Sequence, residues 1–197
     1  MNKEMGIIGE KLDTVIDILI RSQTHFNYCK YLNTREDFYE YQMIQKYSIL
    51  DFARVSFLIV LILDLCKLFN YDKDEKYNLQ KILDILINNY SKIDFANPIT
   101  KVELFDLKKE LNSAKTVSIS SKLKTLRNKH YAHLDSQKPE IMEIMPTFDD
   151  FEFLWKQAFN IYSKLNFHLY DSSTWINQGK TDIGDDILTQ LIKLEKI

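Results

Sequence analysis

From Arg54 to Asp64 the chain reads R-V-S-F-L-I-V-L-I-L-D, an apolar run bounded by charge at both ends. A membrane-crossing helix needs about 20 apolar residues, so this run is too short to span a bilayer. Val55, Phe57, Leu58, Ile59, Val60, Leu61, Ile62 and Leu63 instead put apolar side chains on every face of a helix, the mark of a central helix ringed by neighbours or of an oligomer interface. The pattern runs from Arg35 to Phe69 without Gly or Pro, and Thr34 with Asp37 supplies a start. It predicts one long helix or two joined near Tyr47 and Ser48. Asp64 breaks the apolar pattern, either as a surface acid near the helix exit or as a polar partner for the Arg and His of the segment Leu123 to Asp135.

Outward from this helix the periodicity stays helical. Ile7, Ile8, Leu12, Val15, Ile16, Leu19 and Ile20 predict a helix from Gly6 to Tyr31. Its last turns carry His25, which has no partner nearby in sequence and reads as structural or solvent-facing. Asn70 to Asn78, N-Y-D-K-D-E-K-Y-N, reads as a solvated charged connection. It lacks the Gly and the distal Glu of a calcium loop. Leu79, Ile82, Leu83, Leu86 and Ile87 give another helix, and Ser91 to Pro98 a loop. Val102, Leu104, Phe105, Leu107 and Leu111 give a shorter helix between Thr100 and Ser113, and the hydroxyl-rich Thr116 to Ser121 suits a helix start. After a loop at Ser136 to Pro146, Thr147 with Asp150 caps a helix that carries Phe151, Leu154, Trp155, Ala158, Ile161 and Leu165. His168, at its far end, reads as a terminus-favouring residue rather than a ligand. Asp171 to Gly179 is a linker, and Ile183 to Leu194 a small amphipathic tail helix.

Bulk properties agree with an all-α fold. The 197 residues are 45% hydrophobic and 27% charged, with only four Gly and three Pro, the make-up of a globular chain rather than a disordered one. The expected organisation is one helical domain over residues 1–170, followed by a linker and tail helix over 171–197. A formal net charge of -2 argues against coating nucleic acid through bulk charge, since that mode scales with the phosphates neutralised. Cys29 and Cys66 lie far apart within apolar pattern and read as buried, reduced thiols. Glu4, Glu10 and Asp13 interrupt any secretory pattern, and the expected location is the cytoplasm.

The chemistry concentrates in Leu123 to Asp135, L-K-T-L-R-N-K-H-Y-A-H-L-D. Between Leu111 and Leu134 there is no acid, while Lys115, Lys122, Lys124, Arg127 and Lys129 are all cationic. Such a segment attracts polyanions locally even in a chain that is not basic overall. On a regular helix Arg127, His130 and His133 fan around one side, and Leu123, Leu126, His130, His133 and Leu134 continue one apolar stripe, so the imidazoles are either core groups or site groups. An Arg clamps a phosphate and a His moves a proton near neutral pH, a pairing that suits phosphodiester chemistry without a metal. No Gly-rich phosphate loop, paired metal histidines or nucleophile elbow is present, so neither cofactor nor metal is expected.

Arg127, Asn128 and His133, with five residues between the Arg and the His, resemble the signature of the HEPN superfamily: an Arg, often followed by a polar residue, then a His after four to six positions. The layout of a central helix ending L-D-L-C-K-L-F, then R-N-K-H-Y-A-H-L-D, then a helix opening T-F-D-D-F-E-F-L is similar to the abortive-infection, AbiU-type branch. The likeness covers Gly6 to Tyr170 in architecture, and the Arg-to-His segment is its specific part.

The resemblance implies a helical bundle that pairs as a homodimer around a shared cleft, and a metal-independent endoribonuclease of toxin or anti-phage type. His133 would move the proton, Arg127 would stabilise the phosphorane and Asn128 would orient the site. Asp64 and His130 would support it, His130 being the rival histidine. Lys122, Lys124 and Lys129 would contact RNA. Some HEPN toxins carry a Tyr two positions after the His; here that position is Asp135, so regulation through that Tyr is not expected. An antitoxin or other defence-system partner is implied, and no membrane. The resemblance also admits a non-catalytic module that binds RNA, a nucleotide or a protein, and the apolar stripe admits a purely structural helical dimer.

Overall fold

The computed structural model describes residues 3–33, 42, 44–70, 72, 75–131, 140–174 and 193. The fold is all-α. The elements are α1 (Lys3–Asn33), α2 (Ser48–Phe69), α3 (Leu79–Asn88), a short 3-10 turn (Tyr90–Lys92), α4 (Lys101–Leu111), α5 (Ala114–Leu126), a π-helical turn (Arg127–Tyr131), α6 (Ile141–Ile144) and α7 (Phe148–Tyr170). The tail helix expected at Ile183 to Leu194 and most of its linker lie outside the described residues.

Local chemistry sets the helix starts. Asn78 accepts from the backbone N–H groups of Gln80 and Lys81 to cap α3. Thr100 with Glu103 and Thr147 with Asp150 form reciprocal capping boxes on α4 and α7, each satisfying donors that the first turn leaves without partners. The hydroxyl run at 116–121 is not a helix start: Ser113 caps α5 by accepting from the Thr116 N–H, and the run lies inside the helix. The pattern from Arg35 to Phe69 is broken at Tyr47, which is extended (φ -97, ψ 104), so of the two expected arrangements the joined one is found at this point.

The two longest elements of the first half run antiparallel. Arg54 reaches Asn33, Phe57 stacks on Tyr28 at 5.1 Å, and Asp64 meets Arg21. α7 lies antiparallel to α1 on another side, with Phe148 beside Phe26 and the Trp155 Nε1–H donating to the Leu19 carbonyl at 3.0 Å. The far end of this pair is also close, since a Cβ on Gly9 would lie 3.0 Å from the Tyr170 Oη.

Two apolar clusters fill the bundle. One joins Ile8, Leu12 and Leu19 of α1 to α3, α4 and the second half of α7. The other gathers Phe26, Leu61, Ile62, Leu65 and Cys66 with Leu123 and Leu126 of α5 and Phe151 and Leu154 of α7. Each fully buried Leu contributes about 1.5–3 kcal/mol relative to exposure. This second cluster clamps the end of α5 against the middle of the bundle and so fixes where the next residues, from Arg127 onward, emerge.

The central helix is enclosed over only half its length. Leu61, Ile62, Leu65, Cys66 and Leu68 are buried, whereas Ile49, Phe52 and Val55 are exposed. No helix among the described residues is long and apolar enough to cross a membrane.

Candidate functional site

The α-helical pattern of α5 stops at Leu126, and Arg127–Tyr131 form a π turn. The expectation of one regular helix through Asp135 therefore fails at Arg127. A π turn spreads i→i+5 bonding over more residues than an α turn and is found mostly as single turns, often at functional sites. Leu123 and Leu126, fully buried against α2, anchor its start. Arg127, Asn128, Lys129, His130 and Tyr131 follow as a run of partly buried side chains.

Arg127 is held from two directions. Its Nε donates to Asn128 Oδ1 at 2.9 Å, and its Nη2 donates to Asp72 Oδ2 at 2.8 Å. The other oxygen of Asp72 accepts from Lys124 Nζ at 2.5 Å. Two cations thus converge on a single carboxylate. Hydrogen bonds from Lys124, then Arg127, hold the Asp72 carboxyl below its ordinary value of 3.8. The connection that carries Asp72 is itself gripped: Lys81 Nζ donates to the carbonyls of Asp72 and Glu75, and the Glu75 N–H donates to the Asp72 carbonyl at 3.2 Å. The reading of Asn70 to Asn78 as a merely solvated connection is corrected by these contacts. Asp72 is the site residue that sequence reasoning missed. Its one signal was position, directly beyond the C-terminal end of the apolar helix whose Leu65 and Cys66 join the cluster of Leu123 and Leu126.

The remaining expected residues fall in different places. His130 is partly buried with both ring nitrogens shut from solvent and without a hydrogen-bond partner, its ring tilted against Tyr131 at 6.5 Å. His133, the histidine ranked first by the family signature, lies outside the described residues, as does Asp135. Lys122 and Lys129 are partly buried on α5 and the π turn, and Lys124 pairs with Asp72. The structure thus brings Arg127, Asn128 and Lys124 together.

Asp64 is neither of the things the sequence suggested. It is 1% exposed, so it is no surface acid, and its partners are on α1 and on α2 itself rather than in the motif. Arg21 clasps it with both prongs, Nε to Oδ2 at 2.7 Å and Nη2 to Oδ1 at 2.6 Å. Lys67 Nζ stands 3.3 Å from Oδ1 and His25 Nδ1 3.9 Å from Oδ2. His25 therefore does have a charged neighbour, contrary to the reading from local sequence. Burial pushes its pKa below 6.5, with Asp64 pulling the other way and Arg21 adding to the fall. At the far end of α7, His168 Nδ1 lies 3.2 Å from the Asn97 carbonyl.

Burial favours the neutral form of both thiols. Burial pushes Cys29 up to about 11 and Cys66 up to about 12, the latter against the opposing charge of Arg127 and a hydrogen bond with Asn70. Both are free and buried.

Comparison with known proteins bears on this geometry. No curated protein and no solved structure matches the chain. The AbiU2 family of HEPN type matches residues 50–190, from the start of α2 through α7, with Asp72, Lys124 and the Arg127 turn inside the match. The match spans well over half of the chain, and the protein therefore belongs to the HEPN-type AbiU2 family.

Proposed function

We propose that this protein is a metal-independent endoribonuclease of the abortive-infection or toxin type, cleaving RNA by attack of a ribose 2′-hydroxyl on the adjacent phosphodiester. The observation that carries the reading is the convergence of Lys124 and Arg127 on one two-oxygen anion, within a stretch that holds no acid from Leu111 to Leu134. Phosphate presents the same paired oxygens, and guanidinium recognises them through charge-assisted bonds.

In this reading His133 takes the 2′-hydroxyl proton or gives one to the leaving 5′ oxygen. Arg127 stabilises the extra negative charge of the pentavalent phosphorane, and Asn128, accepting from Arg127 Nε, fixes the guanidinium plane. Lys124 shares that phosphate with Arg127, and Lys122 and Lys129 hold flanking phosphates. The P–O5′ bond breaks as the O2′–P bond forms, leaving a 2′,3′-cyclic phosphate and a 5′-hydroxyl. The working unit is a homodimer with two motifs at one cleft, a reading supported by the exposed Ile49, Phe52 and Val55 on the unenclosed half of α2. A companion antitoxin or defence protein acts on the dimer.

Incubation with RNA in EDTA is expected to yield cyclic-phosphate ends, with the rate reduced at least about 100-fold by Arg127→Ala or His133→Ala. Rates equal to the parent in both variants overturn the assignment. In sedimentation equilibrium the parent is expected to be dimeric and Ile49→Glu/Phe52→Glu monomeric.

A further inference from the structure

We infer that Asp72 is an internal stand-in for the phosphodiester, occupying the anion seat between Lys124 and Arg127, so that RNA binds by exchanging its phosphate for the Asp72 carboxylate. The ligand class rests on the ribonuclease reading above; the seat rests on geometry alone.

Four observations carry it. First, both carboxylate oxygens are used, one on each cation, Oδ1 on Lys124 and Oδ2 on Arg127. A phosphate entering between the two cations would make the same pair of contacts, and both anions cannot do so at once. Second, the groups are reachable: the side chains of Asp72, Arg127 and Lys124 are 33%, 22% and 45% exposed. Ion pairs in such settings are weak and screened by salt, so they exchange readily with a competing anion. Third, Asp72 is not needed to aim the guanidinium. Asn128 already fixes the Nε edge from the neighbouring position, whereas Asp72 reaches Arg127 from a connection outside the helices, and groups built on regular elements position more sharply than groups on loops. Fourth, the backbone around Asp72 is pinned separately, through Lys81 Nζ on the carbonyls of Asp72 and Glu75. The carboxylate therefore needs only a side-chain rotation to leave, and the connection stays in place.

The consequence is selective. With Asp72 in the seat, one of the two positive charges is cancelled, so stray monoanions gain little. A polyanion that also engages Lys122 and Lys129 wins the exchange by holding several phosphates at once.

The test reads binding on a fluorescein-labelled 2′-O-methyl RNA 12-mer, which the proposed chemistry cannot cleave, by anisotropy at fixed low salt. Asp72→Asn is expected to tighten binding about three- to tenfold, the scale of freeing two partly exposed ion pairs. Asp72→Glu, which keeps the charge, is expected to stay near the parent. Lys124→Gln in the parent background is expected to weaken binding, and it tests the seat even if Asp72→Asn folds poorly by circular dichroism. Unchanged or weaker binding by folded Asp72→Asn overturns the proposal. So does unchanged binding with slowed cleavage, which makes Asp72 a positioning residue. Because the oligonucleotide is uncleavable, a protein that cuts no RNA still reports on the seat, and a protein that cuts RNA with no Asp72 effect removes the seat alone.

Discussion

Asp64 and Asp72 stand eight positions apart at the end of α2, and each meets an arginine, yet the two pairs are opposites. Asp64 is buried and clasped by both prongs of Arg21 across the α1–α2 seam. Asp72 is a third exposed and is shared between one nitrogen of Arg127 and one of Lys124. The same residue types thus make a weld in one place and an exchangeable contact in the other. Burial decides which: removing one member of an enclosed pair strands a charge, while exposed members return to water at little cost.

The largest expected effect follows from the weld. Arg21→Met leaves the buried Asp64 carboxylate with Lys67 as its remaining close cation, and is expected to lower stability by about 2–3 kcal/mol in urea denaturation. Asp64→Asn is expected to cost less, about 1–2 kcal/mol, because Arg21 is 47% exposed and keeps its hydration. A loss under about 0.5 kcal/mol for Arg21→Met would erase the contrast. Asp72→Asn is expected to change stability by less than about 1 kcal/mol; a loss matching that of Arg21→Met would make both contacts structural.

Cys66 lies between the two acids and provides a chemical probe. With its thiol pushed up to about 12, and Cys29 up to about 11, neither should react with a disulfide reagent at pH 8 until urea opens the fold. Rapid labelling of the native protein would contradict the enclosure of this half of α2.

The smallest effects are in pH dependence, and they separate the two regions. Burial places the His25 pKa below 6.5, so the unfolded chain takes up the proton first as pH falls. Stability is therefore full above 6.5 and declines below it, down to the lowered folded value. His25→Gln is expected to flatten that decline in urea midpoints taken from pH 7.5 downward, and parallel curves would contradict it. Asp72 has the opposite placement: its pKa is held below 3.8 in the folded chain, so its contribution is present above 3.8 and is lost only as pH falls through the folded value. Asp72→Asn is expected to leave the His25 limb untouched.

Much of this architecture was legible in the order of residues. Helical periodicity placed α1, α3, α4 and α7 within a few residues of their ends, and Thr147 with Asp150 announced its capping box. The Arg127–Asn128 pair was legible as a family signature. What sequence did not carry was long-range pairing. Asp72 meets Arg127 across 55 positions and Asp64 meets Arg21 across 43, and no local pattern encodes either. A buried acid inside an apolar helix does demand a cation, and Arg21 is the only arginine in α1, a clue that the fork geometry of guanidinium makes usable in retrospect. The break at Tyr47 was legible as one of two arrangements, but the π turn was not. Arg127–Tyr131 contains neither Gly nor Pro to mark a departure from the α-helix.

The central claim, that the Arg127 turn drives 2′-hydroxyl attack on RNA, is tested most directly with a single-turnover assay in EDTA on a DNA oligonucleotide carrying one ribonucleotide. The account predicts one cut, on the 3′ side of that ribose, ending in a 2′,3′-cyclic phosphate and lost in Arg127→Ala. Cleavage of the all-deoxy strand at a similar rate, or a cut at the ribose that persists in Arg127→Ala, would contradict it.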